Sequence, residues 1–372
     1  MLPKPYLRAR RVDFSSLSSI GGKQKQSRGK PHTRNSFTGT YDMDRLIAAY
    51  PSLEPFVKRT RMGEPCRPTI TYSDSDACRA LNTALLVADY GVHPKYSEIL
   101  PLDALLPPVP GRADYVHHIA DLLALSSPTN RIPTGPNIIG MDIGTGASAI
   151  YPTLATSLYK WKMIASEINT SSIGSAKQII EANGHTELIN VRQQASAKKI
   201  FDGVLRTTEK IDFAMCNPPF YPSLEAFQKE NARKLKGLAK GGLNKILPID
   251  DIKQRNDVQG EITSNNFGGS GSELWCEGGE VAFVKRIIKE SKTYSDRCLW
   301  FSSLVSRKMN FKRIEGSLFV MGKSASGNKQ GRPVHEVKKI EFGTGHKSST
   351  ILFWTYFDKD QRIDWARMRG WD

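Results

Sequence analysis

Residues 137–152 read NIIGMDIGTGASAIYP, an apolar run that stops at Asp142 and passes through Gly144, Thr145 and Gly146 into a stretch able to form a helix. Glycines at a strand-to-helix turn let the backbone come close to a ligand, and the helix start behind them offers free N–H groups. Gly144, Gly146 and Ala149 also fit the dinucleotide pattern G-x-G-x-x-G/A. Working outward, WKMIASEIN (161–169) is a second strand-like run with Glu167 near its carboxyl end, where an acid can accept hydrogen bonds from ribose hydroxyls. SSIGSAKQIIEAN (171–183) has helical spacing, and IDFAMC (211–216) is a further apolar strand. This alternation predicts an α/β, Rossmann-like, doubly wound parallel sheet whose ligands sit beyond the carboxyl ends of its strands. Asp142, Gly144, Gly146 and Glu167 are then candidate cofactor residues, a set that suits NAD and S-adenosylmethionine equally.

The strand at 211–216 runs straight into Asn217, Pro218, Pro219 and Phe220. Adjacent prolines stop a strand, because each lacks an N–H and fixes φ. Beside the glycine turn they would hold the Asn217 side chain and a proline carbonyl toward one point, two acceptors suited to an amino group. The exocyclic amine of adenine is a poor nucleophile while its lone pair is delocalised into the ring; hydrogen bonds from both of its protons favour a pyramidal nitrogen that can attack. Phe220 offers a stacking surface for a base turned out of its helix. A hydride-transferring enzyme has no use for this device, so the motif selects the methyl donor.

Composition points to the same kind of partner. Lys and Arg total 53 against 37 Asp and Glu, a net charge of +16 that calls for a polyanion, with nucleic acid first. Nine basic residues precede Phe37 against the single acid Asp13. Residues 1–36 are therefore expected to be a disordered basic arm that grips RNA through Arg10, Arg11, Lys30, His32 and Arg34; a solubilising tail and an organelle transit peptide are the alternatives. Arg233, Lys234 and Lys236, in a long basic loop at 221–272, are further RNA-binding candidates. The five cysteines are odd in number and contain no C-x-x-C, which suggests neither a disulfide framework nor a zinc site. No apolar run approaches the roughly 20 residues of a membrane span.

Residues 37–130 read as a helical extension. In YSDSDACRALNTALLVADYG (72–91), Ala77, Leu81, Ala84, Leu85 and Ala88 share one face, residues 73–75 offer caps and Gly91 a stop. RADYVHHIADLLAL (112–125) has its apolar face at Val116, Ile119, Leu122 and Leu123. Adjacent His117 and His118 point apart on a helix, so surface or satisfied core histidines are expected and no metal. Residues 131–372 form the catalytic unit, completed by a helix in EGGEVAFVKRIIKESK (277–292), a strand in CLWFSSLV (298–305), and a terminal hairpin of VKKIEF (337–342) with STILFWTYF (349–357). Glu277 and Glu280 read as acids favoured at a helix start.

The segments PPVPGRADYVHHIADLLA, DIGTGASAIYP, CNPPF, NFGGSGSELWCEGGEVAFVKRIIKES and LWFSSLVSRK resemble the RlmF family of bacterial large-subunit rRNA adenine methyltransferases. They are similar, less closely, to the related eukaryotic enzyme that modifies U6 small nuclear RNA. The likeness runs from about His32 to the carboxyl end. It implies a class I S-adenosylmethionine-dependent fold with a seven-stranded, mostly parallel sheet and a terminal antiparallel hairpin. It also implies methylation of one adenosine at its exocyclic amine, by a monomer with no membrane association, in the cytoplasm, or in the nucleus if the substrate is U6 RNA. By motif, Arg112 would meet the methionine carboxylate, Gly144 and Ser148 the cofactor's backbone-facing side, and Glu167 the ribose. Gln194, in RQQAS where the family has Q-K-[TE], would be a further cofactor contact, and Asn217 to Phe220 would hold the target base. PHTRNSF (31–37) resembles the family's short basic H-x-R-N segment, while KILPIDDIKQRNDVQGEI (245–262) looks like an enlargement of the loop after the catalytic motif. With no further basic domain after STILFWTYF, ribosomal RNA is the expected substrate. Glutamine methylation of a protein shares the Asn-Pro-Pro-aromatic device but would not call for a basic arm.

Overall fold

Strands apolar on both faces belong in the middle of a parallel sheet. The computed structural model describes residues 31–371 apart from 62, 103, 105–106, 230–270, 307, 324–332 and 345–346. In it, β1 (Lys58–Arg61) and β2 (Glu64–Thr69) form a separate hairpin, while β3 (Ile139–Ile143) and β6 (Ile211–Cys216) pair in parallel at the centre of a seven-stranded sheet. Its order is β5-β4-β3-β6-β7-β9-β8, with β4 at Lys162–Glu167, β5 at Ile189–Gln193, β7 at Cys298–Val305, β8 at Glu336–Thr344 and β9 at Lys347–Thr355. Only the pairings of β9 with β7 and β8 are antiparallel. The expected sheet and terminal hairpin are thus both present.

From β3 the chain steps outward to β4 and β5, then returns to lay β6 against the other side of β3. That reversal opens a crevice between the carboxyl ends of β3 and β6, where doubly wound sheets take their ligands. Ile143 pairs with Cys216, so Gly144 and Asn217 leave the sheet side by side.

One core cluster joins Trp161 and Phe213 to α1 (Met43–Ala49), α2 (Ser75–Tyr90), α3 (Tyr96–Ile99), α4 (Val109–Ser126), α5 (Ile150–Tyr159) and α6 (Thr170–Ala182). The other joins Phe301 and Trp354 to α8 (Gly279–Ser291) and α9 (Lys308–Lys323). The cap expected at 73–75 is Asp74, whose carboxylate accepts from the N–H groups of Asp76 and Ala77, and the helix stops at Gly91 with φ 64°. No described helix is long and apolar enough to cross a membrane.

Several elements depart from the sequence reading. The β1–β2 hairpin and β5 were not foreseen, because their side chains are largely exposed or half-buried and carry no apolar run. Glu280 is buried, accepting from Ser306 N and Asn310 Nδ2 at 2.6 Å each, so it ties α8 to the start of α9 and does more than favour a helix start. The amphipathic reading of α4 also fails, since Asp114, His117, His118 and Asp121 are all buried.

Residues 31–36 explain that burial. Expected in the arm, they lie folded along the polar face of α4. Asn35 Nδ2 donates to Asp114 Oδ1 (2.6 Å) and to the Pro110 carbonyl (2.8 Å), and His32 N donates to Asp114 Oδ1 (2.9 Å). Arg34 Nη1 and His32 Nε2 contact the two oxygens of Asp121 at 2.7 and 2.8 Å. Against the upward push of burial, the His32 hydrogen bond and the Arg34 charge hold the Asp121 carboxyl below its usual range. Tyr159 OH hydrogen-bonds His117 Nδ1 (2.7 Å) and accepts from Arg34 Nε (3.2 Å). His32 and Arg34 therefore face inward, and their expected role as arm residues on RNA gives way to pinning this segment. His32, His118 and Asp121 offer ligand atoms within 4.8 Å of one another. The His32 Nδ1 lone pair already accepts the Arg34 N–H, however, so the proton sits on Nε2 and points at Asp121.

At the amino end of β6 Asp212 accepts from Ile139 N (2.6 Å), Trp365 Nε1 (2.7 Å) and Arg369 Nη2 (3.0 Å), fastening β6 to β3 and to α10 (Lys359–Met368). Removing one partner of a buried pair leaves the other charge uncompensated. Arg369→Ala should cost about 3 to 5 kcal/mol in urea unfolding, and adding Asp212→Asn should restore part of it.

Burial pushes the His118 ring down to about 3, with His32 and Arg34 adding to the effect. The unfolded histidine titrates near 6.5, so between those values the unfolded chain binds the extra proton. Stability is present above about pH 6.5 and is lost as pH falls toward 3, by up to about 1.4 kcal/mol per pH unit for this group. The urea midpoint measured from pH 7 to 4.5 should therefore fall less steeply in His118→Gln than in wild type.

Candidate active site

The turn after β3 is built for close approach. Gly144 and Gly146 have φ of 72° and 66°, and a side chain added at Gly144 would meet open space. Gly144 N and Thr145 N donate to the Ser166 carbonyl (3.0 and 2.9 Å), locking the turn to β4. Glu167, at the end of β4 and only 7% exposed, is not a solvated loop acid. Its Oε2 accepts from Gly146 N (2.8 Å), and its Oε1 from Ile168 N (2.8 Å) and Asn169 N (2.9 Å). A carboxylate has about four acceptor positions. Three are occupied, which leaves room for one ribose hydroxyl where two were expected.

Asp142 is 1% exposed, and neither of its oxygens has a hydrogen-bond partner among the described residues. Burial raises its carboxyl to about 7. Ser148 lies in the same turn, its carbonyl accepting from Tyr96 OH at 3.2 Å.

Arg112, in the first turns of α4, reaches the crevice from the side. Its Nη1 donates to Tyr151 OH (2.8 Å), its guanidinium lies 5.4 Å from the Tyr151 ring centroid, and its Nε is buried without a partner. With the Asn217 amide oxygen turned toward it, Arg112 donates from Nη1 and Nη2 at 3.3 Å each. Arg112 and Asn217, predicted for cofactor and base, thus meet. One helical turn beyond Arg112, Tyr115 OH hydrogen-bonds Ser302 Oγ (2.9 Å) and accepts from Cys216 N (3.3 Å). Tyr115 and Tyr151 escaped the sequence reading, although the R-A-D-Y spacing puts Tyr115 on the face of α4 that carries Arg112.

Behind the Asn-Pro-Pro-Phe edge, α7 (Gly271–Leu274) and the residues after it form a wall. Phe220 N and Tyr221 N both donate to the Leu274 carbonyl (3.0 Å), and Cys276 N donates to the Tyr221 carbonyl (3.0 Å). Pro218 is buried, whereas Asn217, Pro219 and Phe220 are half-buried. Glu273, given no role from sequence, sits on the glycine turn with Oε1 accepting from Ala147 N at 3.0 Å. Gln194 departs from expectation. Its amide donates to the Ile200 (3.2 Å) and Asp202 (3.0 Å) carbonyls and accepts from Ser196 N (3.0 Å), so the side chain braces its own loop. Arg10, Arg11, Lys30, Arg233, Lys234 and Lys236 lie outside the described residues.

A family model described as RNA methyltransferase matches residues 25–358. The ribosomal RNA large subunit methyltransferase F of Pseudomonas savastanoi pv. phaseolicola is 41% identical over 331 residues, 89% of this chain and 91% of that protein. The protein of the same name from Shewanella pealeana is 38% identical, covering 91% of this chain and 86% of its own. Among solved structures, the hMettl16 catalytic domain in complex with the MAT2A 3'UTR hairpin 1 superposes with a TM-score of 0.66 at 29% identity, over 88% of this chain and 96% of that one. The N-terminal domain of human METTL16 in complex with SAH gives 0.62 at 26% identity, over 88% and 100%. The matched span opens ahead of the clamp on Asp121 and closes just past the terminal hairpin, taking in the glycine turn, Arg112 and the Asn-Pro-Pro-Phe edge together: this chain belongs to the RNA methyltransferase family that includes the ribosomal RNA large subunit methyltransferase F proteins.

Proposed function

We propose that the chain methylates the exocyclic amine of one adenosine in structured RNA, with S-adenosylmethionine as donor and large-subunit ribosomal RNA as substrate. The observation that carries this reading is the pairing of Ile143 with Cys216, which sets the glycine turn and Asn217 side by side. The names of relatives near 40% identity support ribosomal RNA, and the bacterial source of those relatives supports the cytoplasm as the place of action. U6 small nuclear RNA is the alternative; the hMettl16 likeness at 29% identity, to a domain in complex with an RNA hairpin, supports a structured RNA without choosing between the two.

The cradle fits the donor. Positive-φ glycines expose backbone, the Asp142 oxygens and Arg112 Nε are buried without partners, and Glu167 keeps one acceptor position. Bound there, S-adenosylmethionine supplies a methyl group activated by its sulfonium. Arg112 both faces the crevice and orients Asn217 through two long contacts to its amide oxygen, 3.3 Å each, one of which the adenine amine would replace. Pro218 and Pro219 fix the backbone so that a proline carbonyl takes the other proton, and Phe220 stacks on the extruded base. Positioning supplies the rate, with methyl and amine aligned for in-line displacement. A groove lined by Lys198, Lys285, Arg286 and Lys289 offers a phosphate backbone somewhere to lie. Its one acid, Glu290, is already taken up by the N–H groups of Ile200, Phe201 and Asp202 at 2.7–2.8 Å.

Two substitutions test the reading. Asn217→Ala removes the amine's side-chain acceptor and should abolish methyl transfer to adenosine-containing RNA while RNA binding, followed by filter retention, persists. Wild-type turnover in that variant would sink the hydrogen-bond mechanism. Glu167→Ala should weaken S-adenosylmethionine binding by roughly 1.5 to 3 kcal/mol, about ten- to hundredfold, in calorimetry on the folded protein. Unchanged affinity would take Glu167 out of the site.

A further inference from the structure

We infer that Gly279 is a positioning residue for the target base, and that the Gly278–Gly279 turn is the seat that sets where Phe220 stands. The inference rests on the proposal that Phe220 stacks on an extruded adenine. Both glycines have left-handed backbone, with φ of 75° and 62°, and they turn the chain from the wall into α8. Gly279 N donates to the Cys276 carbonyl at 2.8 Å, which holds the turn closed. A side chain at Gly279 has no free space: its Cβ would stand 3.1 Å from Pro222 N and 3.3 Å from both Pro222 Cα and the Tyr221 carbonyl carbon. The Tyr221–Pro222 peptide, which follows Phe220 directly, thus rests on bare backbone.

Neither partner in that contact is free to yield. Phe220 N and Tyr221 N donate to the Leu274 carbonyl at 3.0 Å, and the Tyr221 carbonyl accepts from Cys276 N at 3.0 Å, so the peptide is already fixed to the wall. The next residue after Gly279 is the buried Glu280, whose carboxylate accepts from Ser306 N, just past β7, and from Asn310 Nδ2 on α9 at 2.6 Å each. The seat is therefore fastened to the sheet. A methyl group added at Gly279 has to be taken up by the peptide beyond Phe220, and Pro218 and Pro219 on the other side leave that ring little freedom to recover its place. A shift of this kind at a reacting group costs turnover while leaving a cofactor cradle built on another turn untouched.

Methyl transfer from S-adenosylmethionine to transcribed large-subunit ribosomal RNA, followed in single turnovers with both saturating, decides the matter on the full-length chain. Gly279→Ala should slow transfer about tenfold or more, while S-adenosylhomocysteine affinity in calorimetry and RNA retention on filters stay at wild-type values. Gly184, beyond α6, has φ 64° and nothing within 4 Å of an added Cβ, so Gly184→Ala carries similar backbone strain without the contact and should leave all three readouts unchanged. In a Phe220→Leu background Gly279→Ala should slow transfer little further, because residues that act as one unit are not additive. Equal slowing by Gly279→Ala and Gly184→Ala would reduce the effect to backbone strain. Losses that multiply between Phe220→Leu and Gly279→Ala would place the action of Gly279 elsewhere, and unslowed transfer or lost S-adenosylhomocysteine affinity in Gly279→Ala would take it out of base positioning; each overturns the inference. Should wild-type protein transfer no methyl to this RNA, the substrate reading falls first and Gly279 falls with it.

Discussion

The parallel register of β3 with β6 is the constraint on which the site depends. Each strand alone ends in an unremarkable polar turn, one glycine-rich and one proline-rich. Because Ile143 lies opposite Cys216, the two turns share one crevice. Hydrogen-bonded strands lie about 4.8 Å apart, which is the scale on which a methyl donor and its acceptor have to be brought together. A slip of one residue would swap the side chains that IDFAMC presents to the two sides of the sheet, so the packing on both of its buried faces guards the chemistry as well as the fold.

Supports for that crevice come from far along the chain. Tyr115, three residues after Arg112, reaches under β6 to Cys216 N and across to Ser302 on β7. α4 can carry Arg112 there because its polar face is covered by residues 31–36, whose Asn35 and His32 donate to one oxygen of Asp114 and whose His32 and Arg34 pair with Asp121. Buried charges left alone would oppose folding. Paired in this way, they fix where α4 lies and therefore where Arg112 points. The segment that looked like the end of an RNA-gripping arm is part of the scaffold that places Arg112 beside Asn217.

Much of this was legible before any coordinates. The helix from Asp74 to Gly91, the α/β alternation, the terminal hairpin and the candidate residues Asp142, Gly144, Glu167 and Asn217 all rest on local signals: periodicity, capping, and the backbone demands of glycine and proline. β5 and the β1–β2 hairpin were not legible, because half-exposed strands need no apolar run. The side-chain directions of Gln194 and Glu273 were not legible either. A carboxamide next to a cofactor strand and an acid in a Gly-rich stretch carry no mark of which way their side chains turn.

Sequence alone determined the secondary elements, the chemistry of the two turns and the basic character that calls for a polyanion, since each follows from residues close together in the chain. Only the tertiary structure decided that Glu167 spends three acceptor positions on backbone amides, that Arg112 meets Asn217, that His32 and Arg34 look inward to Asp121, and that Glu273 lies on the glycine turn. In these contacts the partners are mostly between 21 and 126 residues apart. Hydrogen bonds at such separations are set by how strands are ordered and helices packed, and that ordering is a property of the whole sheet.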